Sequence, residues 1–249
     1  MIFGTRVFAA GIIALGLVCL AAQDFVLSQG LPDNFAYRAA LADVGGAFAI
    51  VAGAAVAWPR ATRAAAAALT AFYAVIVLGL IDVPFIVANA REYGTYSNVA
   101  EDFALAAAAL IIYATAAGRD ARLVRGAQMA FGICAILFGG AHFLYLNLTV
   151  PLVPKYLPPS QEFWAYATGV AHIAAGVALL TGVRARLAAV LLTIMYASFT
   201  PLVHVPLFLS DPTRHFYWSE NALNVALAGA AWVVADSLRS RRVMPQPRS

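Results

Sequence analysis

Apolar residues fall in long runs near 6–28, 39–57, 64–89, 99–117, 126–147, 163–182, 187–209 and 221–238. Short segments rich in arginine, proline or aspartate separate them. The runs do not alternate with period two, so they read as helices rather than strands. Each approaches the ~20 residues that a helix needs to cross ~30 Å of hydrocarbon. A helix also satisfies its own backbone there. The pattern predicts an all-α, polytopic membrane protein with about eight transmembrane helices.

The polar punctuation recurs. Arg6, Gln23 and Pro32 return as Arg125, His142 and Pro151, about 119 residues on. Gly46, Gly53 and Arg63 return as Gly169, Gly176 and Arg186, about 123 residues on. Val83-Pro84 returns as Val205-Pro206, and Glu101 as Glu220. A repeat of this length points to one supersecondary unit used twice. The expected organisation is two tandem four-helix-bundle repeats, 1–120 and 121–238, and a disordered basic cytoplasmic tail, 239–249. An even number of spans per repeat makes the copies parallel, unlike the inverted repeats of many transporters.

Composition agrees. Hydrophobic residues make up 63% and charged residues 11%, against ~45–50% and ~25% in a soluble domain. Twelve of the 16 Lys and Arg residues fall on one side of the predicted spans, so both termini are expected in the cytoplasm. The net charge of +4 is this bias, and no basic patch interleaved with aromatics suggests nucleic acid. The first run has signal-peptide features, but its counterpart in the second copy is an internal span, so it reads as a retained helix. Cys19 and Cys134 lie inside apolar runs with no ligand-spaced neighbour and read as packing residues.

Ionisable side chains inside spans are costly and usually face the protein interior. His142 lies 17 residues from Arg125 and His204 18 from Arg186, about 25 and 27 Å along a helix. Both belong in the outer zone, with Glu220. His172, 12 residues before Arg184, lies deeper. His142 takes the place of Gln23, His172 of Ala49 and His204 of Asp82. His142, His172, His204 and Glu220 are therefore the candidate ligand-binding residues. They would line a polar pocket for a quinone or lipid head group, beneath a proline-rich cap at 148–161. Imidazole suits this because it can donate, accept or ligate. The plainer alternative gives each histidine one interhelical hydrogen bond. For Glu101 and Glu220 it is a place in a helix first turn, favoured by the dipole. No metal spacing, catalytic pair or nucleotide motif is visible.

The proline run from Pro151 to Pro159, the helix from Trp164 to Leu180 with Gly169, His172 and Gly176, then Arg184-Ala-Arg186, His204-Val-Pro206, Asp211-Pro212 and Trp218, resembles the DoxX-like membrane proteins. The resemblance covers 125–238 and continues more faintly through Gly46, Gly53, Arg63 and Pro84. It implies compact four-helix domains in a bacterial inner (plasma) membrane. Some such proteins are subunits of quinone-linked oxidoreductases, so a quinone is the cofactor to consider. Other membrane redox subunits, or a homo-oligomer, are the partners to consider beside the bilayer. The resemblance supplies no catalytic residues. The second functional reading is an assembly protein without a small ligand, with small-residue faces at Gly45-Gly46, Gly53, Gly169 and Gly176 for helix contact. A transporter comes third, because the cytoplasmic halves of the spans are too apolar for a polar path.

Overall fold

The computed structural model describes residues 2–118 and 120–239. The predicted tail falls almost wholly on 240–249, outside the described residues. These residues form helices α1 (Ile2–Ala22), α2 (Arg38–Ala57), α3 (Thr62–Ala88), α4 (Tyr93–Ala116), α5 (Ala121–Leu144), α6 (Gln161–Thr181), α7 (Ala185–Ser210) and α8 (His215–Ser237), with no strand among them. Helices α1 to α7 are long and apolar enough to cross a membrane, which fits a multi-pass membrane protein. Helix α8 is as long, but its start carries His215, Glu220, Asn221 and Asn224. It can be more polar because it is among the most protein-enclosed helices, with buried positions from Ser219 to Ser237.

The helices pack in a closed circuit from α1 through α2, α3 and onward to α8, which returns to α1. Helices α4 and α8 also touch across the middle. Each half therefore seats its first helix against the last helix of the other: α1 on α8, and α5 on α4.

Two crossings depend on glycine. A Cβ at Gly53 would meet Ile13 and the Ala9 carbonyl; one at Gly176 would meet Ile136 and the Gly132 carbonyl. Gly46 likewise faces Gly16 O and Cys19, while Gly169 faces His142 and Phe143. All these contacts match at a spacing of 123, so His142 corresponds to Cys19 and not, as the sequence suggested, to Gln23. Gln23 lies beyond the end of α1 with a left-handed φ of 53°. In α4, every buried position from Ala100 to Ala114 has a buried counterpart 122 residues on in α8. Asp102 thus matches Asn224 and Glu101 matches Leu223, so Glu220 is not the counterpart of Glu101.

Helices α3 and α7 widen into π-helix at Phe72–Asp82 and Thr200–His204, each just before a Val-Pro pair. Proline donates no hydrogen bond and its ring crowds the carbonyl four residues back. A local π turn absorbs that clash. The His204 carbonyl, in the turn beside Pro206, accepts from Asn221 Nδ2 at 2.8 Å.

The first apolar run ends as a helix at Ala22, not near 28. The segment after it folds into the protein, burying Phe25, Leu27, Ser28 and Leu31. Phe25 and Leu27 lie on Gly45 of α2. Ser28 Oγ–H donates to Asp82 Oδ1 at 2.7 Å. Arg38 holds both ends of the segment. It pairs with Asp24 and donates to the carbonyl of Leu31 at 2.6 Å. His215 Nε2 lies 2.9 Å from the other Asp24 oxygen.

Partial burial pushes the Asp24 carboxyl upward, but Arg38 and His215 outweigh it and hold the group below its ordinary value of 3.8. A depressed carboxylate stabilises the fold fully above its ordinary value and loses that contribution as pH falls through the native one. Hydrogen exchange over 24–32, corrected for intrinsic rates, should be faster in Arg38→Gln than in the wild type at pH 7. Gly176→Leu should lower thermal stability in detergent by roughly 1–3 kcal/mol or more through overpacking. Gly126→Ala, where an added Cβ meets nothing within 4 Å, should be neutral or stabilising.

Candidate functional site

His142, His172, His204 and Glu220 all line one cavity of about 650 Å³. It lies between α5, α6, α7 and α8, and α4 adds Ser97 and Glu101. Thr149, Leu152, Val153, Pro154 and Leu157, from the segment read as a cap, also line it. The rest of the wall is mainly apolar.

Hydrogen bonds orient two of the histidines. His142 Nδ1 lies 3.2 Å from the Ala165 carbonyl and 3.1 Å from Thr168 Oγ1. Thr168 donates its own proton to Trp164 O at 2.7 Å, so it can accept from His142. His172 Nδ1 lies 2.9 Å from the Thr168 carbonyl. Carbonyl oxygens only accept, so each ring carries a proton on Nδ1. As neutral imidazoles they keep Nε2 as an acceptor. Thr168, one turn before His172, therefore serves both rings, whose centroids are 5.2 Å apart.

Helix α7 contributes differently. Tyr196 is 3% exposed and stacks beside His172 at 5.5 Å. Its hydroxyl and His204 Nδ1 are buried without a hydrogen-bond partner among the described residues. Burying such groups unpaired costs about 1–3 kcal/mol each. Asn224, in contrast, is used structurally: Nδ2 donates to Tyr196 O and Thr200 Oγ1, both at 2.8 Å.

The first-turn explanation for Glu101 and Glu220 does not survive. Helix α4 begins at Tyr93 and α8 at His215, so both carboxyls lie beyond the first turn. The polar starts of these helices hid that from an apolar-run reading. Both residues line the main cavity and also a second one of about 240 Å³. Glu101, Tyr196 and Asn224 were not among the candidates. The pairs Ser97/Glu101 and Glu220/Asn224, each four residues apart, were a usable signal of polar faces on α4 and α8. Nothing in the sequence marked Tyr196.

Residues 131–235 match a family described as a domain of unknown function (DUF8561). The matched stretch includes all four candidate residues and Tyr196, but not Glu101 or the buried segment after α1. No curated protein and no solved structure matches the chain.

Because the Tyr196 hydroxyl lacks a protein partner, Tyr196→Phe should leave thermal stability of the ligand-free protein unchanged or raise it. The same variant should retain less of any molecule that copurifies with the wild type. Unfolding curves and mass spectrometry of the extract check both halves.

Proposed function

We propose that the main cavity binds one uncharged amphipathic molecule, a quinone or a lipid with an oxygen-bearing head group. The observation that carries this is a mainly apolar cavity of about 650 Å³, lined by Tyr196 and His204, whose OH and Nδ1 are buried without a hydrogen-bond partner among the described residues. Such pockets use apolar walls for affinity and a few fixed polar groups for orientation. Tyr196 supplies a donor and the histidine Nε2 atoms supply acceptors, which suits both the carbonyl and hydroxyl forms of a quinone ring. The cap and the apolar lining suit a tail.

We read the chain as eight spans in two parallel repeats of the DoxX-like type, with both termini in the cytoplasm of a bacterial inner membrane. The matched contacts at 123 and 122 residues support the repeat. A place beside other membrane redox subunits follows from the resemblance alone. The assembly reading loses part of its basis, because Gly46, Gly53, Gly169 and Gly176 face other helices of the same chain.

Protein purified in mild detergent should carry a near-stoichiometric quinone or lipid on solvent extraction and mass spectrometry. Alanine at His142, His204 and Glu220 together should remove it. Bulk phospholipid alone, unchanged in the triple variant, would sink the binding reading and favour assembly.

A further inference from the structure

The two cavities share corresponding positions on the first and last helices of the two halves. At the spacings set by the packing, Leu15 in the smaller cavity corresponds to Phe138 in the larger, Asp102 to Asn224 and Leu105 to Leu227. Ser219 and Leu223, which the smaller takes from α8, correspond to Ser97 and Glu101, which the larger takes from α4. The difference in volume, about 240 against 650 Å³, has a visible cause. In the first half Phe25, Leu27 and Leu31 turn inward and line what space remains. In the second half the corresponding stretch is the proline-rich cap, with Leu148, Leu152 and Tyr156 exposed.

The polar groups match as well. Tyr73 and Asp82 correspond to Tyr196 and His204; Tyr73 OH, Tyr196 OH and His204 Nδ1 are buried without a hydrogen-bond partner among the described residues, and Asp82 lies against the Asp102 carboxyl of α4. In the first half the Ser28 hydroxyl also reaches Asp82, donating to Oδ1. The chain at Gly30 follows so closely that an added Cβ would lie 2.7 Å from the same oxygen. The apolar groups beside Ser28 rest on Gly45, whose counterpart, Thr168, lines the larger cavity.

We infer that residues 25–31 are a tethered stand-in for the ligand: they fill a latent first site, while the second half takes a free molecule of the same chemistry. That molecule is uncharged and places a hydroxyl or carbonyl oxygen on His204, as Ser28 does on Asp82. Its branched or cyclic apolar body lies against Thr168, as Phe25 and Leu27 do against Gly45. Isoprenoid quinones and neutral hydroxyl-bearing lipids share these features. The inference rests on the binding reading of the second cavity, and adds that the wild type has one site and that Phe25, Leu27 and Leu31 abolish the other.

The test is native mass spectrometry of the full chain in mild detergent. It uses two probes, a benzoquinone with two isoprene units and a short-chain diacylglycerol; preferential binding distinguishes the sources. The wild type should take one equivalent of the better probe. The variant Phe25→Ala/Leu27→Ala/Leu31→Ala should take two. His204→Leu should weaken the wild-type site at least tenfold and leave the opened site intact. If the triple variant is not recovered as monodisperse helical protein, Leu27→Ala/Ser28→Ala carries the same test. One equivalent on both wild type and folded variant overturns the stand-in while leaving the binding reading in place. None on the wild type and one on the variant overturns the binding reading of the second cavity, and with it the claim that the two halves take the same chemistry, while residues 25–31 still fill a latent site. No binding to either protein overturns both.

Discussion

The constraint on which the rest depends is that a chain of this composition must satisfy its polar groups from within. The helices do so for most of the backbone, and the remaining carbonyls are met by specific side chains. Arg125 donates to the carbonyls of Leu179 and Leu180, both at 2.7 Å, closing the end of α6. Asn221 donates to the His204 carbonyl beside the Pro206 kink. Thr168 and the two neighbouring histidines share carbonyls of α6. Against that background, Tyr196 OH and His204 Nδ1 stand out as buried without a partner among the described residues, on two residues that line one cavity.

Tight helix crossings make the cavity possible. Glycine at 132, 139, 169 and 176 brings α5 and α6 into backbone contact, so these two helices cannot drift together to close the space on their other side. The same crossing between α1 and α2 leaves the same space, and there the chain uses its own residues to fill it. An unfilled apolar cavity carries a free-energy cost that grows with its volume. Filling it with Phe25, Leu27 and Leu31 stabilises the first half; the second half forgoes that stabilisation.

The sequence showed the all-helical class and the long apolar spans, because hydropathy is additive along a helix; His142, His204 and Glu220, grouped there by depth, line one cavity together with part of the proline-rich segment. It hid the role of residues 24–31. An apolar residue facing lipid and one packed against α2 read alike, and only the left-handed turn at Gln23 separates them. It also misplaced Glu101 and Glu220. Polar residues extend α4 and α8 beyond their apolar runs, and such extensions read as loop. The mismatch of His142 with Gln23 has the same origin: matching charges and prolines across loops gave a spacing of 119, whereas helix contacts fix 123.

The two carboxyls at the wall between the cavities take on meaning from this arrangement. Glu101 belongs to the first half and Glu220 to the second, yet each faces both spaces. The exchange of first helices, α1 onto α8 and α5 onto α4, keeps α4 and α8 in contact at the centre. A molecule in the larger cavity therefore touches residues of both halves, and the segment anchored by Arg38, Asp24 and His215 closes the far side of the same wall. The first half thus contributes to the wall of the larger cavity: it supplies Ser97 and Glu101.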